Sequence, residues 1–233
     1  REGKDVSLNN IGGIYACLGE YEEALDYYEQ ALTISQEIGD RAGEGVILNN
    51  IGLTHYELEE YEKALDYYKE ALTIHREIGD RRGIGESLNS IGLINLQLGE
   101  YEEALDYYKQ ALDISREIGD LVGEGTSLNN IGSIYGLGEY EEALDYLQKA
   151  LTICSEIGDR RGIGESLSNI GAVYAQLEEY KESLDYYEQA MTVLESVRAT
   201  AGSEIGRASF IAQWTTLYNR AIDLYYTQGR DEQ

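Results

Sequence analysis

One segment of close to 40 residues is repeated five times along this chain of 233 residues. A tyrosine that follows a glutamate marks each copy, and successive copies are separated by 40, 40, 39 and 40 residues: Tyr21, Tyr61, Tyr101, Tyr140 and Tyr180. A period between about 20 and 50 residues is typical of repeat proteins, in which each unit packs only against its neighbours. The period therefore predicts a stacked array rather than an ordinary globular domain.

Each copy contains two segments with the periodicity of an amphipathic helix. In the first copy the apolar residues of both segments follow this period: Leu8, Ile11, Tyr15 and Leu18, then Tyr21, Ala24, Leu25, Tyr28, Ala31 and Leu32. Gly19 separates the two segments, and Gly39 with Asp40 separates this copy from the next. Glycine suits the left-handed end of a helix, and aspartate suits a helix N-cap. The chain contains no proline and no strand pattern, so the predicted fold class is all-α, built from helix–turn–helix hairpins.

Small residues recur in the middle of the predicted helices. Every first helix carries a central glycine: Gly12, Gly52, Gly92, Gly132 and Gly171. A mid-helix glycine costs about 1 kcal/mol relative to alanine, so its recurrence predicts that another helix approaches closely there. The second helices carry matching small and bulky residues: Ala24, Ala64, Ala104, Ala143 and Ser183, with Tyr28, Tyr68, Tyr108, Leu147 and Tyr187.

At these positions the chain resembles the tetratricopeptide repeat (TPR) family. In the first copy the resemblance is carried by Leu8, Ile11, Gly12, Tyr15, Ala24, Tyr28 and Ala31, and most of this pattern recurs over residues 1–197. His55 and Asn95 depart from it, and each copy is longer than the family's usual length of about 34 residues. These longer repeats are similar to those of kinesin light chains, G-protein-modulator scaffolds and many bacterial signalling proteins. The resemblance implies an α-solenoid, a right-handed superhelix of five hairpins plus a C-terminal helix, whose first helices line a concave groove.

The predicted organisation is an array of five repeats followed by a separate C-terminal segment. The repeats cover residues 5–40, 41–80, 81–120, 121–159 and 160–197, and residues 198–233 are predicted to form a capping or linker helix. In that segment Phe210, Leu217-Tyr218, Ile222-Asp223-Leu224 and Gly229-Arg230 resemble the sequence that joins TPR arrays to CHAT protease domains in bacterial proteins. Because the opening sequence REGKDVSLNNIGG lies inside a repeat, we expect the chain to be part of a longer protein. The fourth copy lacks one residue near Gly136, which predicts a tilted hairpin or a shortened first helix.

A pair of polar residues precedes the Ile-Gly of every first helix, and the ten positions hold eight Asn and two Ser. Asparagine is a middling helix former, so its recurrence needs another reason. A row of amides can both donate to and accept from the backbone of an extended peptide, whatever the peptide's sequence. In the longer-repeat families that the chain resembles, the second residue of each pair does this. The resemblance thus implies these peptide-binding residues: Asn10, Asn50, Asn130 and Asn169, with Ser90 as a gap.

The first residues of the pairs are also candidates for binding the peptide: Asn9, Asn49, Asn89 and Asn129. The alternative is that these amides hydrogen bond between neighbouring repeats. Five arginines lie in the predicted loops: Arg41, Arg81, Arg82, Arg160 and Arg161. They could pair with nearby carboxylates of the chain or bind acidic groups of a ligand.

Composition argues against several other functions. With 44 acidic and 18 basic residues, a net charge of −26, the chain lacks the basic patch that binds a nucleic acid backbone. It also has no apolar run near the length of about 18 residues that crosses a membrane. Cys17 and Cys154 form no disulfide framework, which predicts a reducing, cytoplasmic compartment. His55 and His75 lack neighbours for a metal site, and the carboxylates recur with the repeat instead of forming one catalytic pair. We therefore expect no metal, no cofactor and no enzymatic activity.

The sequence predicts a scaffold that holds a protein or peptide segment in its groove, with residues such as Gly13, Ala16 and Cys17 setting selectivity. Two alternatives remain open. One is a sensor module that regulates an effector such as a CHAT protease in cis. The other is a self-associating array, a homo-oligomer in which chains pack end to end or through their grooves.

Overall fold

Ten helices, joined by turns of two to four residues, make up the described part of the chain. The structure is a computed structural model that describes residues 3–200, with side chains described for residues 3–196. The helices are α1 Lys4–Leu18, α2 Tyr21–Ile38, α3 Arg41–Glu57, α4 Tyr61–Ile78, α5 Arg81–Gln97, α6 Tyr101–Ile118, α7 Leu121–Tyr135, α8 Tyr140–Ile157, α9 Arg160–Gln176 and α10 Tyr180–Thr200. Residues 3–200 contain no strand, and the all-α prediction is confirmed. Odd-numbered helices are the first helices of the predicted repeats, and even-numbered helices are the second.

The chain divides into two compact units, Arg1–Asp120 and Leu121–Gln233. Within each unit a first helix packs against the second helix of its own repeat, and α3, α5 and α9 pack also against the second helix of the preceding repeat. First helices of successive repeats also contact each other directly, α1 with α3, α3 with α5, and α7 with α9. Successive first helices lie closer together than successive second helices do. The first helices therefore form the inner side of each stack.

Glycine and aspartate end and begin the helices as the sequence predicts. At the end of α2, Gly39 adopts φ 74° and its N–H donates to the carbonyl oxygens of Gln36 and Ser35. The next residue, Asp40, is the N-cap of α3, and its side chain accepts a hydrogen bond of 3.0 Å from the Gly43 N–H. Asp80 and Asp159 cap α5 and α9 in the same way. The glycine that ends one helix and the aspartate that caps the next together form the two-residue turn between repeats.

The mid-helix glycines provide the space for the bulky residue of the second helix. A Cβ atom on Gly12 would lie 2.8 Å from the Tyr28 ring and 3.2 Å from the Ala24 carbonyl oxygen. The other four repeats show the same contact, at 2.6–2.8 Å, in the pairs Gly52–Tyr68, Gly92–Tyr108, Gly132–Leu147 and Gly171–Tyr187. The predicted close approach of the helices is thus confirmed in all five repeats.

The core of each unit is formed where one repeat packs on the next. Ala24, Tyr28 and Ala31 of α2 are buried against Ile47 and Ile51 of α3. The second unit has an equivalent cluster of Ala143, Leu147, Ile170 and Val173. Fully burying an apolar side chain contributes about 1.5–3 kcal/mol, and such clusters occur in both units, so they hold the repeats of each unit together.

The second helix also supplies a tyrosine that stacks on the first helix of its own repeat. Four repeats contain such parallel ring pairs with centroids 5.2–5.4 Å apart: Tyr15–Tyr27, His55–Tyr67, Tyr135–Tyr146 and Tyr174–Tyr186. His55 therefore occupies the position that tyrosine holds in the other three repeats. In the third repeat Asn95 replaces the ring and donates a hydrogen bond of 2.8 Å to the Ile91 carbonyl oxygen.

The missing residue of the fourth repeat shortens its first helix. Helix α7 has 15 residues, whereas α3, α5 and α9 each have 17. The Gly136 N–H still donates to the Gly132 carbonyl oxygen, and the chain then turns over residues 136–139. The shortening predicted near Gly136 is confirmed. The capping or linker helix predicted for residues 198–233 lies, apart from the last turn of α10, outside the described residues.

Candidate functional site

The exposed side of α3 is a single stripe of side chains. Ala42, Val46, Asn50, Leu53 and Glu57 are all exposed or half-buried. They are spaced by three or four residues and so lie on one face of the helix. Because the first helices form the inner side of each stack, this stripe and its equivalents on the other first helices are called the inner face.

In the unit Arg1–Asp120 the inner face has a polar centre and apolar sides. The centre is a row formed by Asn10, Asn50 and Ser90, called the amide row; Asn10 is exposed and the other two are half-buried. On one side of it Val6 is 55% exposed and Val46 is 49% exposed. On the other side Leu53 is 49% exposed and Leu93 is half-buried, while Gly13, Ala16 and the exposed Cys17 continue this side on α1.

Side chains of the polar pairs hydrogen bond between repeats. The Asn50 Nδ2 donates to the Asn9 Oδ1 at 2.9 Å, and the Ser87 Oγ donates to the Asn49 Oδ1 at 3.2 Å. The predicted alternative, bonding between neighbouring repeats, is therefore realised by Asn9, Asn49 and Asn50. Each amide has another polar atom, since Asn50 keeps its Oδ1 as an acceptor and Asn9 keeps its Nδ2 as a donor.

Ser90 occupies the gap in the amide row. Its side chain hydrogen bonds with the hydroxyl of Tyr68, which is buried in the same repeat junction. Burial raises the pKa of Tyr68, and the bond with Ser90 lowers it by a smaller amount. The phenol therefore stays protonated at neutral pH, and Ser90 is tied to the core more than its asparagine counterparts.

In the unit Leu121–Gln233 the polar pairs are differently arranged. Asn130 and Asn169, the second residues of their pairs, form the amide row of this unit and are half-buried. Asn129 is only 4% exposed, and neither of its amide atoms has a hydrogen-bond partner in the described structure. Ser166, the counterpart of Ser87, instead donates to the Gly162 carbonyl oxygen of its own helix at 2.8 Å. In the first unit Asn89, the remaining predicted residue, is half-buried.

The loop arginines are engaged by neighbouring side chains. Arg41 contacts Glu44 at 2.5 Å and also Glu77, and the hydrogen bond with Glu77 raises the pKa of the guanidinium. Arg81 pairs with Glu117 in the same way as Arg41 with Glu77, and Arg82 and Arg161 pair with Glu86 and Glu165 four residues later in their own helices. Arg160 donates to the Ser196 Oγ. The pairing of arginines with nearby carboxylates is thus confirmed for four of the five. Exposed pairs of this kind each contribute about 0–1 kcal/mol.

The opposite edge of the inner face, where first helices turn into second helices, is acidic. In the first unit it carries exposed or half-buried glutamates: Glu20, Glu57, Glu59, Glu60 and Glu100. Glu57 accepts a hydrogen bond from the Tyr21 hydroxyl; burial, and then the charge of Glu57, raise the pKa of Tyr21. Lys63, on α4, lies 3.0 Å from the Glu60 carboxylate and is its main basic partner. The excess of carboxylates along this edge attracts cations.

Two open grooves lie away from the inner face, and the sequence pattern does not predict them. One, of about 640 Å³, lies between α4 and α6, with Leu72 and Ile91 among its lining residues. Its walls carry both charges, including Arg76 and Asp106. A groove of about 710 Å³ occupies the equivalent place between α8 and α10. Both arise because second helices separate where first helices meet, so they follow from the curvature of the stack.

Metal binding and membrane insertion find no support in residues 3–196. No group of three or more His, Cys, Asp or Glu side chains in this part of the chain could hold a metal ion. None of the described helices combines the length and apolar character needed to cross a membrane.

Comparison with known proteins places the repeat in a family. The tetratricopeptide repeat model matches residues 5–77, 45–117, 83–145 and 123–196. The chain belongs to the tetratricopeptide repeat family. The resemblance drawn from the glycine, alanine and tyrosine positions is confirmed, and with it the all-α repeat solenoid as the class of fold. No curated protein sequence matches the chain.

Solved TPR structures share the fold at low sequence identity. A signal transduction ATPase with a TPR sensor from Pyrococcus horikoshii is 24% identical, with a TM-score of 0.71 over 98% of this chain and 36% of that chain. A kinesin light chain-like protein from Podosopora anserina is 14% identical, with a TM-score of 0.65 over 86% of this chain and 100% of that chain. A Rap protein complexed with Competence and Sporulation Factor is 17% identical, with a TM-score of 0.65 over 93% of this chain and 64% of that chain.

Proposed function

We propose that this TPR chain is a scaffold that binds an extended protein or peptide segment across its inner face. The observation that carries the proposal is the amide row of each unit, in which side-chain amides are exposed or half-buried on α1 and α3 and on α7 and α9. Ser90 interrupts the row on α5. Apolar packing does not require asparagine at these positions, and asparagine lowers helix propensity. A sequence-independent contact with a peptide backbone gives the repeated amides a function.

The Asn9–Asn50 pair supplies the geometry for that contact. Their mutual hydrogen bond of 2.9 Å fixes both side chains across one repeat junction. The Asn50 Oδ1 can then accept from a peptide N–H, and the Asn9 Nδ2 can donate to a peptide carbonyl oxygen. An amide held in place before binding loses less conformational freedom when the peptide arrives. The bond between repeats therefore supports peptide binding by orienting the amides.

The comparisons support binding by a fold of this kind. The solved Rap structure, which shares the fold of this chain, is a complex of a Rap protein with Competence and Sporulation Factor. At 17% identity the likeness extends to the fold and not to the ligand. The proposal for this chain rests on its own amide row, which occupies the inner side of each unit.

Selection from a random peptide display library tests the proposal. The wild-type chain is compared with a variant in which Asn10, Asn50, Asn130 and Asn169 are all changed to Ala. We expect the wild type to enrich peptides and the variant to lose them, because each lost backbone hydrogen bond weakens binding by about 0.5–1.5 kcal/mol. Circular dichroism establishes that both proteins keep their helices.

A matched control removes the same number of amides from the second helices. Gln30, Gln36, Gln148 and Gln189 are exposed there, and their change to Ala is expected to leave the enriched peptides unaltered. Equal enrichment by wild type and the inner-face variant, or no enrichment by either, contradicts the proposal.

A second candidate is a sensor module that controls an effector in cis. The observation that favours it is the match over 98% of this chain to the TPR sensor-containing ATPase, of which it covers only 36%. Sequencing the gene on both sides of the segment that encodes these residues tests this candidate. A protease or ATPase domain in the same reading frame supports it, and flanking stop codons contradict it.

A further inference from the structure

Four apolar side chains on the inner face of the unit Arg1–Asp120 remain partly exposed, and packing between the repeats does not explain why they are apolar. Val6 and Val46 are about half exposed on one side of the amide row, and Leu53 and Leu93 lie on the other side. The repeat itself does not require apolar residues there, because the equivalent positions of the second unit are Thr126, Ser133, Glu165 and Ala172. Exposed apolar groups that line a polar row are typical of a binding surface.

The two apolar pairs are displaced from each other by one repeat. Val6 and Val46 lie on α1 and α3, four residues before Asn10 and Asn50. Leu53 and Leu93 lie on α3 and α5, three residues after Asn50 and Ser90. A peptide whose backbone follows the amide row therefore meets the valine pair on one side and then, one helix further along, the leucine pair on the other side.

The spacing of helices converts this displacement into a peptide pattern. Packed helices have axes about 8–10 Å apart, and an extended peptide rises about 3.3 Å per residue. One repeat therefore corresponds to about three peptide residues. Successive side chains of an extended peptide alternate between two sides, so residues i and i+3 point to opposite sides, as the valine and leucine pairs require.

Charge selects the residues that flank this pattern. The edge beyond the leucine pair carries Glu57, Glu59 and Glu100. On the other edge Arg41 and Arg81 are already paired with Glu77 and Glu117. The inner face of this unit thus presents acidic groups to a ligand, in a chain of net charge −26. Complementary charge favours a basic peptide and speeds its association.

We infer that the inner face of residues 1–120 recognises an extended basic segment that carries apolar side chains at positions i and i+3. This specificity rests on the proposed function, because the amide row must hold the backbone for the two side chains to reach their pairs. The valine pair takes one apolar side chain and the leucine pair takes the other. The acidic edge takes a Lys or Arg next to the second.

Fluorescence anisotropy with the full chain tests this inference, using four labelled synthetic peptides as probes. Three are flanked by Lys and carry Leu at i and i+3, Leu at i and i+2, or Ser at both positions. The fourth carries Leu at i and i+3 but is flanked by Glu. We expect the first to bind at least about tenfold more tightly than the other two Lys-flanked peptides, because each of them leaves at least one Leu contact unmade. We expect it to bind more tightly than the Glu-flanked peptide as well, because the acidic edge repels Glu.

Substitutions in the protein test whether the preference for Leu at i and i+3 arises at the leucine pair of the inner face. Leu53→Ser is expected to reduce binding of the first peptide to about the level of the peptide with Leu at i and i+2, because the valine pair still takes the other Leu. Leu137→Ser is the control, because Leu137 is also exposed but lies in the turn between α7 and α8, outside the unit that carries the proposed site. It is expected to leave binding unchanged. Asn50→Ala is expected to weaken all the Lys-flanked peptides to a similar degree.

The outcomes separate this inference from the proposed function. Binding that needs Asn50 but is indifferent to the Leu spacing or to Leu53→Ser overturns the inference and leaves the proposed function standing. Equal binding of the Glu-flanked peptide overturns the preference for basic ligands. If none of the four peptides binds, the inference is wrong, and the display library decides the proposed function separately.

Discussion

The central glycine of each first helix contacts a bulky side chain of the second helix. We expect adding a methyl group to lower stability at this glycine but to raise it at the glycine that follows in the first repeat. Gly12 faces the Tyr28 ring so closely that an added Cβ would lie 2.8 Å from two ring carbons. On Gly13, the next residue, an added Cβ would lie 3.6 Å from the Tyr28 hydroxyl oxygen, an ordinary contact. The two glycines therefore have different reasons to be present, although they are adjacent in the same helix.

We predict that Gly12→Ala lowers stability and that Gly13→Ala raises it. Overpacking costs about 1–3 kcal/mol, which exceeds the gain of about 1 kcal/mol in helix propensity. Only that gain applies at Gly13. Urea denaturation followed by circular dichroism measures both, with the unsubstituted chain as reference. Equal midpoints for the two variants would show that the ring moves aside at no cost.

A second prediction concerns two glutamates in a left-handed conformation. Glu59 and Glu178 have φ of 59° and 60° at the turn where Gly19 and Gly99 have 78° and 80°. This conformation costs a residue with a side chain about 1–2 kcal/mol. We expect Glu59→Gly to raise the free energy of unfolding, measured by urea denaturation, by about 0.5–1 kcal/mol after the added flexibility of the unfolded chain is included.

The reverse substitution, Gly99→Glu, tests the same explanation. It introduces the strain at a turn that lacks it, so we expect a loss of about 1 kcal/mol. If both substitutions change stability in the same direction, side-chain contacts and not the backbone conformation decide the outcome.

The two cysteines are predicted to differ in reactivity. Burial, with smaller contributions from Asp159 and Glu165, raises the pKa of Cys154 to about 11, and its side chain is 2% exposed. The thiol therefore remains protonated and inaccessible at neutral pH, whereas Cys17 is exposed. We expect Ellman's reagent to titrate one thiol in the native chain and two in guanidinium chloride. Native Cys17→Ser should titrate none, and any reaction in that variant would contradict the burial of Cys154.

At the scale of the helix, the two kinds of turn in the hairpin differ in how they start the next helix. The turn between repeats ends in an aspartate whose carboxylate caps the first helix; Asp159 accepts from the N–H groups of Arg161 and Gly162. The turn within a repeat ends in a glutamate, such as Glu139, that makes no side-chain capping bond. The first helices thus depend on their caps more than the second helices do.

We predict that Asp159→Ala destabilises the chain by about 1 kcal/mol, the usual effect of removing an N-cap. Glu139→Ala is the matched control in the same unit and is expected to change stability by less than about 0.5 kcal/mol. Asp159→Asn, which keeps an acceptor oxygen, should recover most of the loss. Thermal denaturation measures all three. A similar loss for the Asn and Ala variants would assign the effect to charge instead of capping.

The sequence predicts the helices well because their determinants are local. The Gly39-Asp40 step defines a helix end and start without reference to the rest of the chain, and the spacing of Gly12 and Tyr28 repeats often enough to reveal their contact. The hydrogen-bond partners of the polar pairs are harder to predict from the sequence, because they depend on the side-chain rotamers of residues in two neighbouring repeats. Ser87 and Ser166 both follow the sequence GIGE. Yet one bonds to the preceding repeat and the other to its own helix.

At the scale of the whole molecule, the charge of −26 dominates the electrostatics. The arginine–glutamate pairs near the turns each contribute little because they are exposed. The unpaired excess of carboxylates repels itself in the folded chain more strongly than in the expanded unfolded chain. Repulsion of this kind is screened over about 10 Å at 0.1 M salt.

We therefore predict that the melting temperature rises when sodium chloride is added to a low-salt buffer. Calorimetry at neutral pH measures the change. Choline chloride at equal ionic strength is the control, since screening depends on ionic strength and not on the identity of the cation. A fall in melting temperature would mean that the ion pairs outweigh the net repulsion.

The contact between the central glycine and the bulky side chain joins two residues of the same repeat, as Gly12 and Tyr28 illustrate. The stacked rings and the Arg41–Glu77 pair are likewise internal to one repeat. An in-frame duplication or loss of 40 codons would therefore copy or remove a unit that carries its own internal contacts, leaving the others unbroken. A gene built this way can lengthen or shorten its product by recombination and so match the array to partners of different length.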